Sequence, residues 1–328
     1  MQPDVSIIIV SMNKPGFLFP CLDGIKAQTS VSYEALVVAY MFSDENLKAL
    51  KENYPWVNVI ESNELRGFAE NNNLALRQAK GRYCFIVNDD TLMTMPVIDR
   101  LVEDMEKLPG NAAAVSPSII FPDGRVQTCG RGPWSMMKYL RHYLHLVDET
   151  GPGQWTMKEG LFKTYTLNGA CFLARTDIFR NNGWFDETYT FTPEDIALGM
   201  LLNSRGYEVF TDADVSITHI ANATASAIEA VIKPVRVRGS LILYSSMRNL
   251  DSPQGTSSVC RARYLAAGAF IWCFEALRGL KYLFCDCSDR SEKTRRNKIM
   301  KATAANVRKS IFTTKTTKEI FTDLYNKR

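Results

Sequence analysis

Residues 5–10 read VSIIIV and residues 35–40 read ALVVAY, two runs rich in β-branched residues that a segment of helical pattern, 15–28, separates. The alternation continues with strand-like runs WVNVI (56–60) and YCFIV (83–87) and with helical segments at 44–53 and 68–79. Strands that alternate with helices predict an α/β fold with a mostly parallel central sheet. Because the cores of the first two strands, SIIIV and ALVV, are almost entirely apolar, we expect helices to cover both faces of the sheet.

The composition is that of a folded globular protein. Of 328 residues, 46% are hydrophobic and 23% are charged, which excludes disordered and fibrous classes. The eight cysteines include no C-x-x-C pair, which disfavours a zinc site or a disulfide framework. The first residues lack the pattern of a secretory signal, and the apolar stretch Tyr264–Phe274 is shorter than the roughly 20 residues of a spanning helix. We therefore expect a cytoplasmic protein with no membrane-spanning helix.

Beyond about residue 222 the alternation fades and helical character takes over, which predicts two domains, 1–222 and 223–328. The final residues, 289–328, carry 12 Lys/Arg against 4 Asp/Glu, a net charge of +8. A helix predicted over 264–285 confines Glu275, Arg278 and Lys281 to one side. Two interpretations stay open: a helix lying in an anionic membrane surface, and a helix packed on the catalytic domain. Nucleic-acid binding is disfavoured because few aromatic residues interleave with the basic ones.

Three further segments complete the pattern before residue 222. Residues 97–108 predict a helix, 112–121 a strand and 122–124 a turn. The segment 125–165, rich in aromatic residues and glycine, is predicted to be a long functional loop, either a substrate lid or an acceptor groove.

Candidate ligands lie where the strands end, since α/β sheets bind ligands beyond the carboxyl ends of their strands. Asn88, Asp89 and Asp90 follow a buried strand and offer oxygen ligands for Mg²⁺ or Mn²⁺, although Asn and Asp are also common in turns. Glu194 and Asp195 open a predicted helix. There a carboxylate serves either as a general base or as a helix cap.

His219 ends the strand VSITH and is one of three histidines in the chain. A single histidine at a strand end is more often structural than a ligand. A neutral imidazole is nevertheless a good Mn²⁺ ligand if the fold brings it to Asp90.

Taken together, several motifs in order resemble family 2 glycosyltransferases of the GT-A fold, in particular their rhamnosyltransferase-like branch. The matching segments are VSIIIVSMN (5–13), NELRGFAENNNLALRQAKGRYCFIVNDDT (63–91), PDGRVQTCGRGP (122–133) and NGACFLARTDIFRNNGWFDETYTFTPEDIALGMLLNSRGYEVF (168–210), followed by DVSITH (214–219). The similarity covers about residues 4–222, with a weaker echo at 244–249. It implies a Rossmann-like GT-A domain with a C-terminal helical extension.

The resemblance also implies roles for individual residues. Asp195 matches the catalytic base and Glu194 the neighbour that orients the acceptor, while Asp90 and His219 match the metal site. The residues matched to the donor site are Val10, Ser11, Asn13, Gly67, Phe68, Asn72, Asn73, Asn88 and Asp89. The reaction implied is an inverting, Mg²⁺- or Mn²⁺-dependent hexosyl transfer from a nucleoside-diphosphate sugar to a glycan. The expected acceptor is a lipid-linked glycan of surface polysaccharide synthesis, with the protein peripheral on the inner face of the membrane.

Two departures from the family pattern keep other functions open. Ala39 stands where the family usually has an aspartate after its second strand, and Ala197 stands where another aspartate commonly follows Glu194-Asp195. Tyr40 or Phe42 would then stack on the donor base in place of the missing carboxylate contact. The alternatives are a catalytically weak or inactive GT-A scaffold protein and a sugar-phosphate nucleotidyltransferase. The nucleotidyltransferase is disfavoured because no Gly-rich, Lys-bearing phosphate loop follows the first strand.

Overall fold

The computed structural model describes residues 2–147, 155–220, 228–246, 258–284 and 292–327. The chain forms two compact units. The first comprises the described parts of Met1–Pro133, Asp148–Asp186 and Glu194–Ala223, and the second those of Trp134–Val147, Glu187–Pro193 and Thr224–Arg328. The domain boundary predicted at 222/223 and part of the echo at 244–249 lie outside the described residues.

A single sheet organises the first unit. Its strands are β1 (Val5–Met12), β2 (Tyr33–Tyr40), β3 (Val57–Ser62), β4 (Tyr83–Asn88), β5 (Thr91–Leu92), β6 (Ala112–Ile120), β7 (Val126–Thr128), β8 (Leu161–Thr164), β9 (Cys171–Arg175) and β10 (Glu208–His219). The spatial order is β3-β2-β1-β4-β9-β6-β10-β5, with β7 paired to β6 and β8 to β10. The strands β1 to β4 run parallel, whereas β9 is antiparallel to both of its neighbours.

Helices cover both faces of this sheet, as the apolar strands predict. The helices of the first unit are α1 (Pro15–Gln28), α2 (Asp44–Asn53), α3 (Phe68–Leu76), α4 (Val97–Lys107), α6 (Thr176–Asn181) and α7 (Glu194–Ser204). Ile7 and Ile9 of β1 pack in a core with α1, α2 and α4, whereas Ile8 packs on the opposite face with α3, α6 and α7. Full burial of each isoleucine contributes about 1.5–3 kcal/mol, so this alternation fixes which face each helix covers.

The register of the central strands sets the position of the candidate ligands. Ser11 pairs with Ala39 of β2, and Val10 pairs with Asn88 of β4. The carboxyl ends of three neighbouring strands therefore meet at one edge of the sheet.

The segment 125–165 differs from its prediction as a loop. It contains β7 and β8 in the first unit and helix α5 (Met136–Tyr143) in the second, while 148–154 lie outside the described residues. The two strands have only three and four residues, too few for a recognisable alternation. They form because their backbones pair with β6 and β10.

The second unit is helical in its described residues. Besides α5 it contains α8 (Glu229–Ser246), α9 (Ser258–Phe284), α10 (Glu292–Ile311) and α11 (Thr317–Tyr325). The helix predicted from residue 264 begins six residues earlier, and its predicted end at Cys285 lies outside the described residues. None of the helices in the described ranges has the length and apolar character needed to cross a membrane.

Candidate active site

The fold brings Asp90 and His219 together at the edge of the sheet. Strand β10 ends beside β5, with His219 opposite Thr91, and the amide N–H of Ile220 donates to the Asp90 carbonyl (2.9 Å). The His219 Nε2 atom lies 3.2 Å from Asp90 Oδ1, and both side chains are almost buried. The Asn88 side-chain amide lies 3.4 Å from the same nitrogen. Residues that are 131 positions apart in the chain thus share one site.

The second nitrogen of His219 determines what the first can bind. His219 Nδ1 lies 2.7 Å from the side-chain oxygen of Gln127, so in the neutral ring the proton is on Nδ1. In that tautomer the lone pair of Nε2 faces Asn88 and the carboxylate of Asp90. Two acceptors that face each other favour a cation between them, so the pair fits a divalent ion of the Mg²⁺ or Mn²⁺ class. No group of three or more His, Cys, Asp or Glu side chains arranged to hold a metal occurs within the described ranges.

The adjacent carboxylate, Asp89, is buried as well. This burial, together with the negative charge of Asp90, raises the pKa of Asp89 to about 7. An excess of negative charge at low dielectric is a second reason to expect that this edge of the sheet attracts a cation.

A second cluster surrounds Asp195 in the first turn of α7. Asp195 Oδ2 accepts the backbone N–H of Gly169 (2.9 Å) and lies 3.2 Å from Arg131 Nη1. Asp195 Oδ1 accepts the N–H of Ile196 (2.7 Å). Arg131 is itself held by the Leu167 carbonyl, 3.3 Å from the same Nη1 atom. The carboxylate is therefore fixed by three donors in a largely buried position, and Glu194 is buried beside it.

A dipeptide connects the two clusters. Gly169 donates to Asp195, and the next residue, Ala170, accepts the backbone N–H of Asn88 (2.9 Å). A Cβ atom at Gly169 would lie 3.5 Å from the Asp195 Cβ atom and 3.6 Å from the ring of Phe68. The segment before β9 thus connects the predicted base to the strand end that carries Asp90, and the predicted donor residue Phe68 lies next to Gly169.

The donor residues expected at the ends of β1 and β4 occupy that edge as well. Val10 and Ser11 lie next to Asn88 and Ala39 in the sheet register. Asn13 adopts a positive φ of 51°, which asparagine tolerates better than most residues. Its side-chain oxygen accepts from the Asn46 amide (2.8 Å), so Asn13 connects the end of β1 to α2.

The remaining donor residues lie at the start of α3. Gly67 caps this helix, and its N–H donates to Glu70 (3.2 Å). Asn72 is buried and donates to the Phe68 carbonyl (2.9 Å). The Asn73 amide makes two bonds to the backbone of Phe185, at 2.9 and 3.1 Å. These bonds give Asn72 and Asn73 a part in holding the local structure, and their contact with a donor stays a prediction.

The two departures from the family pattern are both buried positions. Ala39 is 1% exposed at the end of β2, and Ala197 is 8% exposed in α7. Tyr40 is buried and its hydroxyl accepts the N–H of Arg66 (3.2 Å), while Phe42 packs partly buried against the core. Burial leaves the Tyr40 ring little surface for stacking on a base.

Three residues of this site were not singled out from the sequence: Arg131, Gly169 and Gln127. All three lie in segments that carry the family resemblance, CGRGP, NGA and RVQT, so the motifs were visible but the roles were not. Arg131 and Gln127 both lie in the segment 125–165.

Comparison with known proteins identifies the fold and the family. The family model described as glycosyl transferase family 2 matches residues 6–181, more than half of the chain. The chain belongs to glycosyl transferase family 2. The matched range includes the strand end Asn88–Asp90 and the NGA segment, whereas Asp195 and His219 lie beyond it.

Two curated relatives are similar to this family 2 chain over part of its length. It is 26% identical over 240 residues, 69% of the chain, to the O-antigen biosynthesis protein RfbC of Myxococcus xanthus. It is 30% identical over 154 residues, 43% of the chain, to an N-acetylglucosaminyl-diphospho-decaprenol L-rhamnosyltransferase of Mycobacterium tuberculosis. The aligned regions span 18% and 48% of these relatives' own lengths. These names agree with the rhamnosyltransferase-like branch expected from the motifs.

Solved glycosyltransferase structures share the fold. GalNAc-T7, solved with UDP, GalNAc and Mn²⁺, superposes with a TM-score of 0.54 at 15% identity, covering 81% of this chain and 54% of its own. The mannosyltransferase PcManGT of Pyrobaculum calidifontis, in complex with GDP-Man and Mn²⁺, superposes with a TM-score of 0.51 at 16% identity, covering 94% and 87%. The predicted GT-A fold is confirmed.

Proposed function

We propose that this family 2 glycosyltransferase is an inverting enzyme that transfers a sugar from a nucleoside diphosphate to a hydroxyl group of a lipid-linked glycan. The observation that carries the proposal is the NGA segment. It holds the Asp195 carboxylate through Gly169 and the Asn88–Asp90 strand end through Ala170. These two bonds support the proposal because they connect the proposed base to the proposed metal site through a single dipeptide.

In this mechanism Asp195 removes the proton from the acceptor hydroxyl as the oxygen attacks the anomeric carbon from the face opposite the diphosphate. Arg131 and the Gly169 N–H hold the carboxylate in place, and Glu194 orients the acceptor. A single displacement needs one base and inverts the configuration. Placing both substrates in line contributes about 7 kcal/mol or more to the rate when alignment is good.

The metal is proposed to bind Asp90 and His219. Gln127 fixes the imidazole tautomer that leaves Nε2 free to coordinate. A bound Mn²⁺ or Mg²⁺ supplies charge neutralisation for the leaving diphosphate. Both structural neighbours were solved with Mn²⁺, which supports a divalent cation in the same class.

The donor and the acceptor are proposed from the relatives. A relative named as a decaprenol-linked rhamnosyltransferase supports a deoxyhexose such as rhamnose as the sugar and a polyprenol-linked glycan as the acceptor. A lipid-linked acceptor requires the enzyme to work at a membrane surface, so the proposal includes peripheral association on the cytoplasmic side.

Ala39 favours a second candidate function, that of an inactive GT-A scaffold. Ala39 is a buried alanine at the strand end where family members carry a donor-binding carboxylate. In this candidate the chain would support another transferase without turning over a donor itself.

Calorimetric titration with dTDP, UDP and GDP, each with and without Mn²⁺, distinguishes the two candidates. We expect one nucleotide to bind only with the metal, and Asp90→Ala to abolish that binding. The matched control is Asp123→Ala, which removes a carboxylate from an exposed turn. If no nucleotide binds under any condition, the enzyme proposal is wrong and the scaffold remains.

A further inference from the structure

Helix α9 turns an apolar side outward. Its exposed large side chains are Val259, Leu265, Phe270, Trp272, Leu277 and Leu280, with Leu277 68% and Trp272 40% exposed. Ala262, Ala266, Ala269 and Cys273 are also exposed, and they fill the positions between the large side chains. Between residues 262 and 280 every exposed residue of α9 is uncharged. We call this surface, the exposed residues 262–280, the α9 face.

Two charges of α9, Glu275 and Arg278, face inward and find partners there, whereas Arg261 is exposed and the side chain of Lys281 lies outside the described residues. Glu275 is fully buried, and its Oε1 lies 3.3 Å from Lys233 Nζ and 3.0 Å from Arg278 Nη1. The Tyr143 hydroxyl also donates to Glu275. A buried carboxylate without these partners would be strongly unfavourable. The ion cluster therefore fixes the rotation of the helix, and the apolar residues are left on the outside.

Basic residues border the α9 face on the neighbouring helix. Together α9 and α10 contain eleven Lys/Arg and two Glu, a net charge of +9. Lys298, Lys301 and Lys309 of α10 are exposed. The Arg308 guanidinium lies 5.6 Å from the centre of the Trp272 ring. The contact between Arg308 and Trp272 places a cation at the edge of the α9 face, and the exposed lysines lie on the same helix as Arg308.

An anionic lipid surface fits this combination better than a second copy of the chain. Interfacial helices carry Trp, Phe and Leu on the side that enters the membrane and Lys or Arg beside it. Long basic side chains reach the headgroups while their stems lie on apolar surface. Two copies packed through the same face would bring together two pairs of helices that each carry +9, and these repel.

We propose that the α9 face binds an anionic bilayer, with Trp272 and Leu277 inserted at the boundary between headgroups and acyl chains. The lysines of α10 then contact the headgroups. This inference deepens the proposed function, because it names the surface on which a lipid-linked acceptor would be met.

The test is binding of the full chain to vesicles of phosphatidylcholine with and without phosphatidylglycerol, measured by co-sedimentation. We expect binding to the anionic vesicles only. Leu277→Glu should weaken it about tenfold or more, because a leucine at an apolar boundary is replaced by a charge. Replacing Lys298, Lys301 and Lys309 by Ala should weaken it about 100-fold, or about fivefold for each lysine. Met157→Glu, a similar change at an exposed methionine of the first unit, should have no effect.

Insertion of Trp272 is tested separately with brominated lipids. Because the chain has five tryptophans, the signal for insertion is the part of the tryptophan fluorescence quenching that is lost in Trp272→Phe. Binding to neither vesicle, equal binding to both, or unchanged binding of Leu277→Glu would each overturn the inference. The inference would also be overturned if the chain formed a dimer that Leu277→Glu dissociates and did not bind lipid. The vesicles contain no donor or acceptor, and nucleotide titration of the same variants tests the proposed function independently.

Discussion

Arg131 is the residue whose replacement tests the proposed site most directly. Its Nη1 atom lies 3.2 Å from Asp195 Oδ2, and its side chain is 22% exposed against 11% for Asp195. Arg131→Met keeps the length of the side chain and removes the charge. Asp195 then retains the N–H groups of Gly169 and Ile196 but loses a charge-assisted hydrogen bond. We expect the reaction to slow because the carboxylate is no longer held toward the acceptor.

The magnitude follows from the value of one such bond. A hydrogen bond to a charged group contributes about 1.5–3 kcal/mol. If this is lost entirely in the transition state, kcat/KM falls by about 10- to 150-fold. Because Arg131 contacts the base and not the Asp90–His219 pair, the affinity for the nucleotide should change by less than about twofold.

The assay combines the rate of nucleoside-diphosphate release in the presence of acceptor with calorimetric nucleotide binding. Lys163→Met is the matched control, since Lys163 forms an exposed ion pair with Glu208 (2.6 Å) in the same unit. Such a pair contributes about 0–1 kcal/mol to stability and has no part in the proposed reaction. An unchanged kcat/KM for Arg131→Met, or an equal loss of nucleotide affinity, would refute the positioning role of Arg131.

Asp195→Asn should lower the rate of sugar transfer by about 100-fold or more and leave nucleotide binding nearly intact, because the base acts on the acceptor. Rate measurements and calorimetric nucleotide titration check the two parts. Burial, together with the neighbouring Asp212 carboxylate, raises the pKa of Asp104 to about 7, so Asp104 favours its neutral form in the fold and stability declines as the pH rises from about 4 to 7. Asp104→Asn removes one of these two carboxylates and should therefore raise the free energy of unfolding at pH 8 while changing it little at pH 4, as urea unfolding at the two pH values would show. Gly199→Ala places a Cβ 2.7 Å from the Thr166 Cα atom and should destabilise the protein by about 1–3 kcal/mol. Gly110→Ala is the control, because a Cβ there meets no atom within 4 Å and should not change stability. Urea unfolding measures both variants.

The fold was readable from the sequence wherever one local pattern decided it. The helices predicted over 15–28 and 44–53 have those bounds in the structure. Pro15 begins the first, and the Ser43 side chain caps the start of the second. Helix α3 ends at Leu76, before the predicted residue 79. The strands β7 and β8 were missed since their pairing partners, not their own residues, determine them.

The candidate site was predictable only in part, for a physical reason. Strand ends could be located from periodicity, and the resemblance paired Asp90 with His219 before their proximity was visible. The partners of these residues depend on contacts between distant segments. Gln127 and His219 are 92 residues apart, and Arg131 and Asp195 are 64 apart. No local pattern records such distances, although the motifs around Gln127 and Arg131 were recognisable as family segments.

The orientation of helix α9 also could not be predicted from a local sequence pattern. Its charges recur every three residues, which predicts a charged side and an apolar side but not which of them faces the protein. The partners of Glu275 decide this, and Tyr143, Lys233 and Arg278 come from three different helices. A hydrophobic pattern alone favours burial of the leucines. The structure buries the ion cluster instead, and so an apolar surface becomes available beside the basic helix α10.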